Sequence, residues 1–134
     1  MEPSTITWSA LIALLSDDEA AVKKSDPICE QYRAWAKLSI EKDFMRYLGR
    51  LVPDDGTPLE RMESYPGDYW APDAPFALAY YPYNGCDVYQ LMDYPSYYLV
   101  YTEYGGHFPE LRARHVRKDL LRLDDGPPAQ ASAE

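Results

Sequence analysis

Cysteine and histidine are scarce in this chain of 134 residues, with two of each. Cys29 and Cys86 are too few and too far apart to read as a disulfide framework or as a zinc site with paired ligands. Both are expected to stay reduced and to pack as small hydrophobes. His107 and His115 cannot supply a histidine-rich metal site. Also missing are the glycine spacings of the Rossmann and Walker loops, a Gly-x-Ser-x-Gly elbow, a His-Glu-x-x-His pair and an EF-hand run. No cofactor and no metal is therefore expected.

Long apolar runs are missing as well. The longest stretch, residues 8–15, is interrupted by Ser9 and ends at Ser16, Asp17 and Asp18, far short of the roughly 20 residues that cross a bilayer. Met1-Glu2-Pro3 is acidic where a secretory leader carries positive charge. The expectation is a cytoplasmic protein with no membrane contact.

What is present supports a folded domain. Hydrophobic residues make up 46% of the chain and aromatics 14%, enough apolar surface to offset the entropy of ordering one domain. We expect that domain over residues 1–123. Residues 124–134, DDGPPAQASAE, carry no apolar anchor and read as a flexible tail.

The net charge of −9 is unevenly spread. Residues 1–53 hold eight acids and seven Lys/Arg, and residues 111–134 hold four acids and five. Between them, residues 54–110 hold ten acids and a single cation, Arg61, together with Trp70 and eleven of the thirteen tyrosines. A one-signed field steers association with a basic partner, and Tyr and Trp are favoured at interface hot spots.

Local patterning predicts helices first. Trp8, Leu11, Ile12 and Leu15 form an apolar stripe with Ser4 or Thr5 as cap. Ser16 and Glu19 match a capping box for a short second helix. Asp26-Pro27 opens a third and longest helix, with Ile28, Tyr32, Trp35, Ile40, Phe44, Leu48 and Leu51 on one face and Pro53 as its stop. The prolines and glycines of 53–75 predict a long acidic loop. Residues 76–81, 87–92 and 97–104 predict three strands separated by turns at 82–85 and 93–96. Gly105-Gly106 breaks the sheet, and a basic final helix follows from Pro109, although a late strand over 119–123 also fits. The predicted fold class is α+β: N-terminal helices packed on a small antiparallel sheet, with a C-terminal helix.

Loops held on a scaffold carry function. The expected partner-binding residues are thus Tyr65, Asp68, Tyr69, Trp70, Asp73, Asp93, Tyr94, Tyr98 and Glu103. In length, in its lack of catalytic motifs and in this acidic, tyrosine-rich segment, the chain resembles in type the small acidic immunity proteins with which bacteria neutralise their own toxins. The resemblance implies a stoichiometric inhibitor that covers the basic active site of a toxin domain, with a protein as partner and no nucleic acid. Two alternatives stand beside it. One is a small-molecule-binding or catalytic domain with a tyrosine-lined pocket, pairing Cys86 with His107. The other is a structural adaptor subunit.

Overall fold

The computed structural model describes residues 4–15, 26, 28–57, 62–63, 70–91, 96–104 and 108–123. Its central feature is the run Ser96–Glu103, SYYLVYTE, rich in the aromatic and β-branched residues that fit a pleated surface. Residues 96–101 of this strand are all buried, so it is covered on both faces. Around it lie β1 (Thr5–Thr7), α1 (Trp8–Leu14), β2 (Ala36–Lys37), β3 (Met45–Val52), β4 (Phe76–Ala77), β5 (Asp87–Leu91), the strand just described as β6, β7 (Glu110–His115) and β8 (Leu121–Arg122).

Six of these strands form one sheet in the order β1-β3-β5-β6-β7-β2, and β4 pairs with β8 separately. Within the six-stranded sheet β1 runs parallel to β3, and every other pairing is antiparallel. The alternation of β6 divides the core in two. Tyr97, Leu99 and Tyr101 point to one face, where Leu11 of α1, Trp35, Phe76, Leu78, Tyr83 and Cys86 cover them. Tyr98 and Val100 point to the other, where Tyr32, Ile28, Leu38 and Ile40 from the segment before β3 cover them.

This corrects the predicted fold class. The protein is mostly β, with one short α-helix among the described residues. The first predicted helix is present as α1, capped by Thr7, whose hydroxyl accepts from the Ala10 N–H. The second falls on residues outside those described. The long third helix is absent: its span holds a 3₁₀ turn at Cys29–Tyr32, β2, a second 3₁₀ turn at Lys42–Phe44 and β3. Over the β3 part of that span the cause is a bulge. Tyr47 faces Tyr89 and Gly49 faces the preceding residue, Val88, so Leu48 is extra. One inserted residue shifts the period of two and makes a strand imitate a helical stripe. Gly49 lies at φ +139°, and a Cβ there would meet the Thr5 carbonyl carbon at 2.8 Å. Glycine at this position lets β1 lie against β3.

The C-terminal helix is also overturned. Residues 110–115 form β7, antiparallel to β6 and followed by a 3₁₀ turn at Lys118–Leu120 and by β8, which falls within the alternative late strand. What concealed β7 is Arg114, a charged residue in a fully buried position. Of the predicted strand at 76–81, Phe76–Ala77 alone is a strand, and residues 78–79 turn. Among the described residues no helix is long and apolar enough to cross a membrane.

Candidate functional site

The register of the sheet lines up Tyr47 of β3, Tyr89 of β5, Tyr98 of β6 and His115 of β7 as successive cross-strand partners. Residues directly opposite one another share a face, so this row runs across one side of the sheet. It passes from exposed Tyr47 through half-buried Tyr89 to buried Tyr98 and His115. The Tyr47 and Tyr89 rings lie 5.3 Å apart, and the His115 ring meets Tyr98 edge-on at the same distance. Burial raises the hydroxyl pKa of Tyr47 and Tyr89, with the Asp87 charge adding to it.

At its buried end the row reaches Asp26, 1% exposed. The carboxylate of Asp26 accepts from Tyr98 Oη at 2.7 Å, from Ser96 Oγ, and from the Ile28 N–H at 3.0 Å. Burial, and then donation to Asp26, holds the Tyr98 hydroxyl far above its ordinary value. Cys29 and His115 complete the group. One ligand atom from each of Asp26, Cys29 and His115 lies within 4.8 Å of the others, and all three residues are buried. Burial lowers the His115 imidazole to about 4, which keeps it neutral at pH 7.

On the opposite face Arg114 is enclosed. Its guanidinium donates to the carbonyls of Arg33, Pro72 and Ala74 and to Tyr83 Oη, and it lies 4.0 Å from the centre of the Phe76 ring. This one side chain ties the turn at 70–74 to β7. Two residues earlier on the same strand, Arg112 carries the Trp70 ring 4.8 Å from its guanidinium carbon and has Glu110 Oε2 2.7 Å from Nε. Glu110 faces Glu103 across the strands, and Glu103 accepts from Tyr101 Oη at 2.6 Å. Trp70 and Glu110 thus share Arg112, with Glu103 across from Glu110, and Asp73 is exposed on the turn that Arg114 holds.

Acids and aromatics of 54–110 separate by burial. Asp54, Asp55, Glu63 and Asp73 are exposed, and Asp87, Glu103 and Glu110 are half-buried. Of the described tyrosines in the same segment, Tyr80, Tyr83, Tyr97, Tyr98 and Tyr101 are buried, Tyr81 and Tyr89 half-buried, and Tyr104 exposed. Asp54 already has a structural task. It accepts from the Ser9 N–H at 2.9 Å and the Ser9 hydroxyl at 2.6 Å, bonds that lower its pKa and cap the start of α1.

Of the expected partner-binding residues, Trp70 and Asp73 are exposed on the turn at 70–74, and Glu103 is half-buried at the end of β6. Tyr98 belongs to the core, because both faces of β6 are covered. Tyr65, Asp68, Tyr69, Asp93 and Tyr94 lie outside the described residues. Cys86 is unsuited to the nucleophilic role of the catalytic alternative. It is fully buried, its Sγ donates to the Pro82 carbonyl at 3.0 Å, and desolvation pushes its thiol pKa well up. Its expected partner His107 is outside the described residues.

The Asp26, Cys29 and His115 group escaped the sequence reading because its members come from a 3₁₀ turn, the residues before it and the end of β7. Only the sheet register brings them together. The alternation of 110–115 was the available signal, since it places His115 beside Tyr98. Compared with known proteins, the chain matches no family model, no curated protein and no solved structure.

Proposed function

We propose that the protein is a stoichiometric inhibitor of the immunity type, which binds a basic toxin domain through an acidic surface centred on Trp70, Asp73, Glu103 and Glu110. The observation that carries the reading is the corner where an accessible indole is pinned by Arg112 among carboxylates. An aromatic anchor with charged groups around it is the pattern that favours selective association. The segregation of the 54–110 segment supports the same reading. Its described rings mostly serve the core, and its described carboxylates all reach solvent, so the field of the segment faces outward. Arg112 is offset by Glu110 and does little to weaken that field.

The test is affinity capture by the full chain from its source cells, beside a variant carrying Asp73→Lys and Trp70→Ala. A basic protein retained by the wild type, lost by the variant, and stoichiometrically inhibited by the purified wild type supports the proposal. Capture of the same proteins by both chains, or a captured protein whose activity is unaffected, overturns it. With the partner in hand, the association rate should fall as ionic strength rises and the Debye length shrinks from about 30 Å at 0.01 M to about 8 Å at 0.15 M.

A further inference from the structure

We infer that Asp26, Cys29 and His115 form a binding site for a single divalent, borderline-soft metal ion, for which Zn²⁺ is the best fit. The inference does not depend on the proposed function, because the group lies inside the fold and away from the acidic corner.

The donor set comes first. A thiol, an imidazole and a carboxylate together are the N, S and O ligands that Zn²⁺ takes, whereas Mg²⁺ and Ca²⁺ prefer oxygen alone. The second consideration is charge. Among the described residues no Lys or Arg forms an ion pair with the Asp26 carboxylate, which nonetheless sits almost wholly away from water. An isolated buried carboxylate is costly, and hydrogen bonds compensate it only in part. With Cys29 as thiolate and His115 neutral, a divalent cation brings the group to zero net charge.

The surroundings are those of a metal site. Ligating carboxylates are usually themselves hydrogen-bonded, which fixes their orientation, and Asp26 is held by Tyr98, Ser96 and the Ile28 N–H. Among the described residues Oδ2 accepts from Ser96 and Tyr98 and Oδ1 from Ile28, and an oxygen that accepts one bond keeps a lone pair for the ion. The donor atoms, up to 4.8 Å apart, stand wider than the edges of roughly 3.5 Å implied by zinc bonds of about 2.0–2.3 Å. Metal binding therefore draws the three side chains inward. Three protein donors leave a fourth position to water or to an oxygen close by. Binding replaces the Cys29 S–H bond with a metal–sulfur bond and releases that proton to solvent. Affinity should thus rise about tenfold per pH unit wherever the thiol is protonated.

The experiment uses the full chain, stripped with a chelator and titrated with Co²⁺ as the spectroscopic stand-in and with Zn²⁺ as competitor. Expected are one ion per chain, a thiolate-to-cobalt charge-transfer band in the near ultraviolet, and its displacement by Zn²⁺. Cys86→Ser should keep the band. Cys29→Ser should abolish it, and His115→Asn should weaken binding by at least about tenfold, which keeps the test decisive should Cys29→Ser not fold. Cobalt binding without the charge-transfer band, a band that survives Cys29→Ser, or unchanged binding in His115→Asn would each overturn the inference. So would a failure of wild-type protein to bind either ion at stoichiometric concentration, which would leave the group a packed polar cluster.

Discussion

Arg114 Nη1 donates to Tyr83 Oη at 2.8 Å, and the same oxygen accepts from the indole nitrogen of Trp35 at 3.2 Å. One phenol thus joins a buried cation on β7 to a buried ring at the start of β2. Burial raises the Tyr83 hydroxyl pKa and lowers that of Arg114, although each group's partner opposes the shift. Tyr83→Phe leaves two buried donors short of an acceptor and should cost about 2 kcal/mol. Arg114→Lys keeps the charge and loses the planar fork that reaches three carbonyls at once, at about 3 kcal/mol. Urea unfolding of the two variants checks both values.

Gly49 and Gly56 both have positive φ, +139° and +81°, and they should respond differently to alanine. At Gly56 nothing lies within 4 Å of an added Cβ, so the left-handed backbone alone should cost about 1 kcal/mol. At Gly49 the new atom meets the Thr5 backbone, and Gly49→Ala should cost more than about 2 kcal/mol. Loss of hydrogen-exchange protection in residues 5–7, with β5 to β7 still protected, would identify detachment of β1 as the reason.

The His115 imidazole is lowered to about 4 in the fold, against about 6.5 when unfolded. Between those values the unfolded chain binds the proton and the folded chain does not, so stability falls as pH drops from about 6.5 to about 4 and this loss levels off below. The contribution amounts to about 3 kcal/mol. Chelator-treated protein should unfold at lower urea at pH 5 than at pH 7, and His115→Asn should flatten that difference.

Trp35 and Trp70 separate core from surface. Trp35 is 5% exposed and packs edge-on against Tyr101 at 4.7 Å, so Trp35→Ala should cost about 3–5 kcal/mol. Trp70 is 36% exposed and stacks on the Arg112 guanidinium, so Trp70→Ala should cost about 1 kcal/mol. Thermal melts rank the two. A larger loss at Trp70 would make it a packing residue and remove the anchor from the acidic corner.

The parts of the fold legible in the sequence were those whose pattern depends on near neighbours. The α1 stripe, the turn before Cys86 and the strands β5 and β6 follow local spacing and turn chemistry, and they occur where that chemistry puts them. β3 was illegible because the bulge at Leu48 breaks its alternation. β7 was illegible because Arg114 is buried by carbonyls that come from residues 33, 72 and 74. The acidic corner was partly legible, since Trp70, Asp73 and Glu103 could be singled out by type. Tyr98 could not be told from its neighbours, because the sequence does not reveal that β6 is covered twice. Asp26 read as a helix cap and is a buried acceptor for Tyr98, a relation that depends wholly on strand pairing.

Both outer strands of the six-stranded sheet come from the early part of the chain, and among the described residues β2 pairs with β7 alone: Ala36 pairs with Ala113. At the synthesis rates of about 5–20 residues per second, Ala36 and Leu38 are made several seconds before the strand that will pair with them exists. The hairpins β5 to β6 and β6 to β7 close over short loops and have no such wait. The β2 edge should thus join the sheet after its centre has formed, although it is made first. Pulse-labelled hydrogen exchange during refolding should protect residues 87–91 and 96–103 before residues 36–38, and chains stalled before β7 should be the ones that chaperones retain.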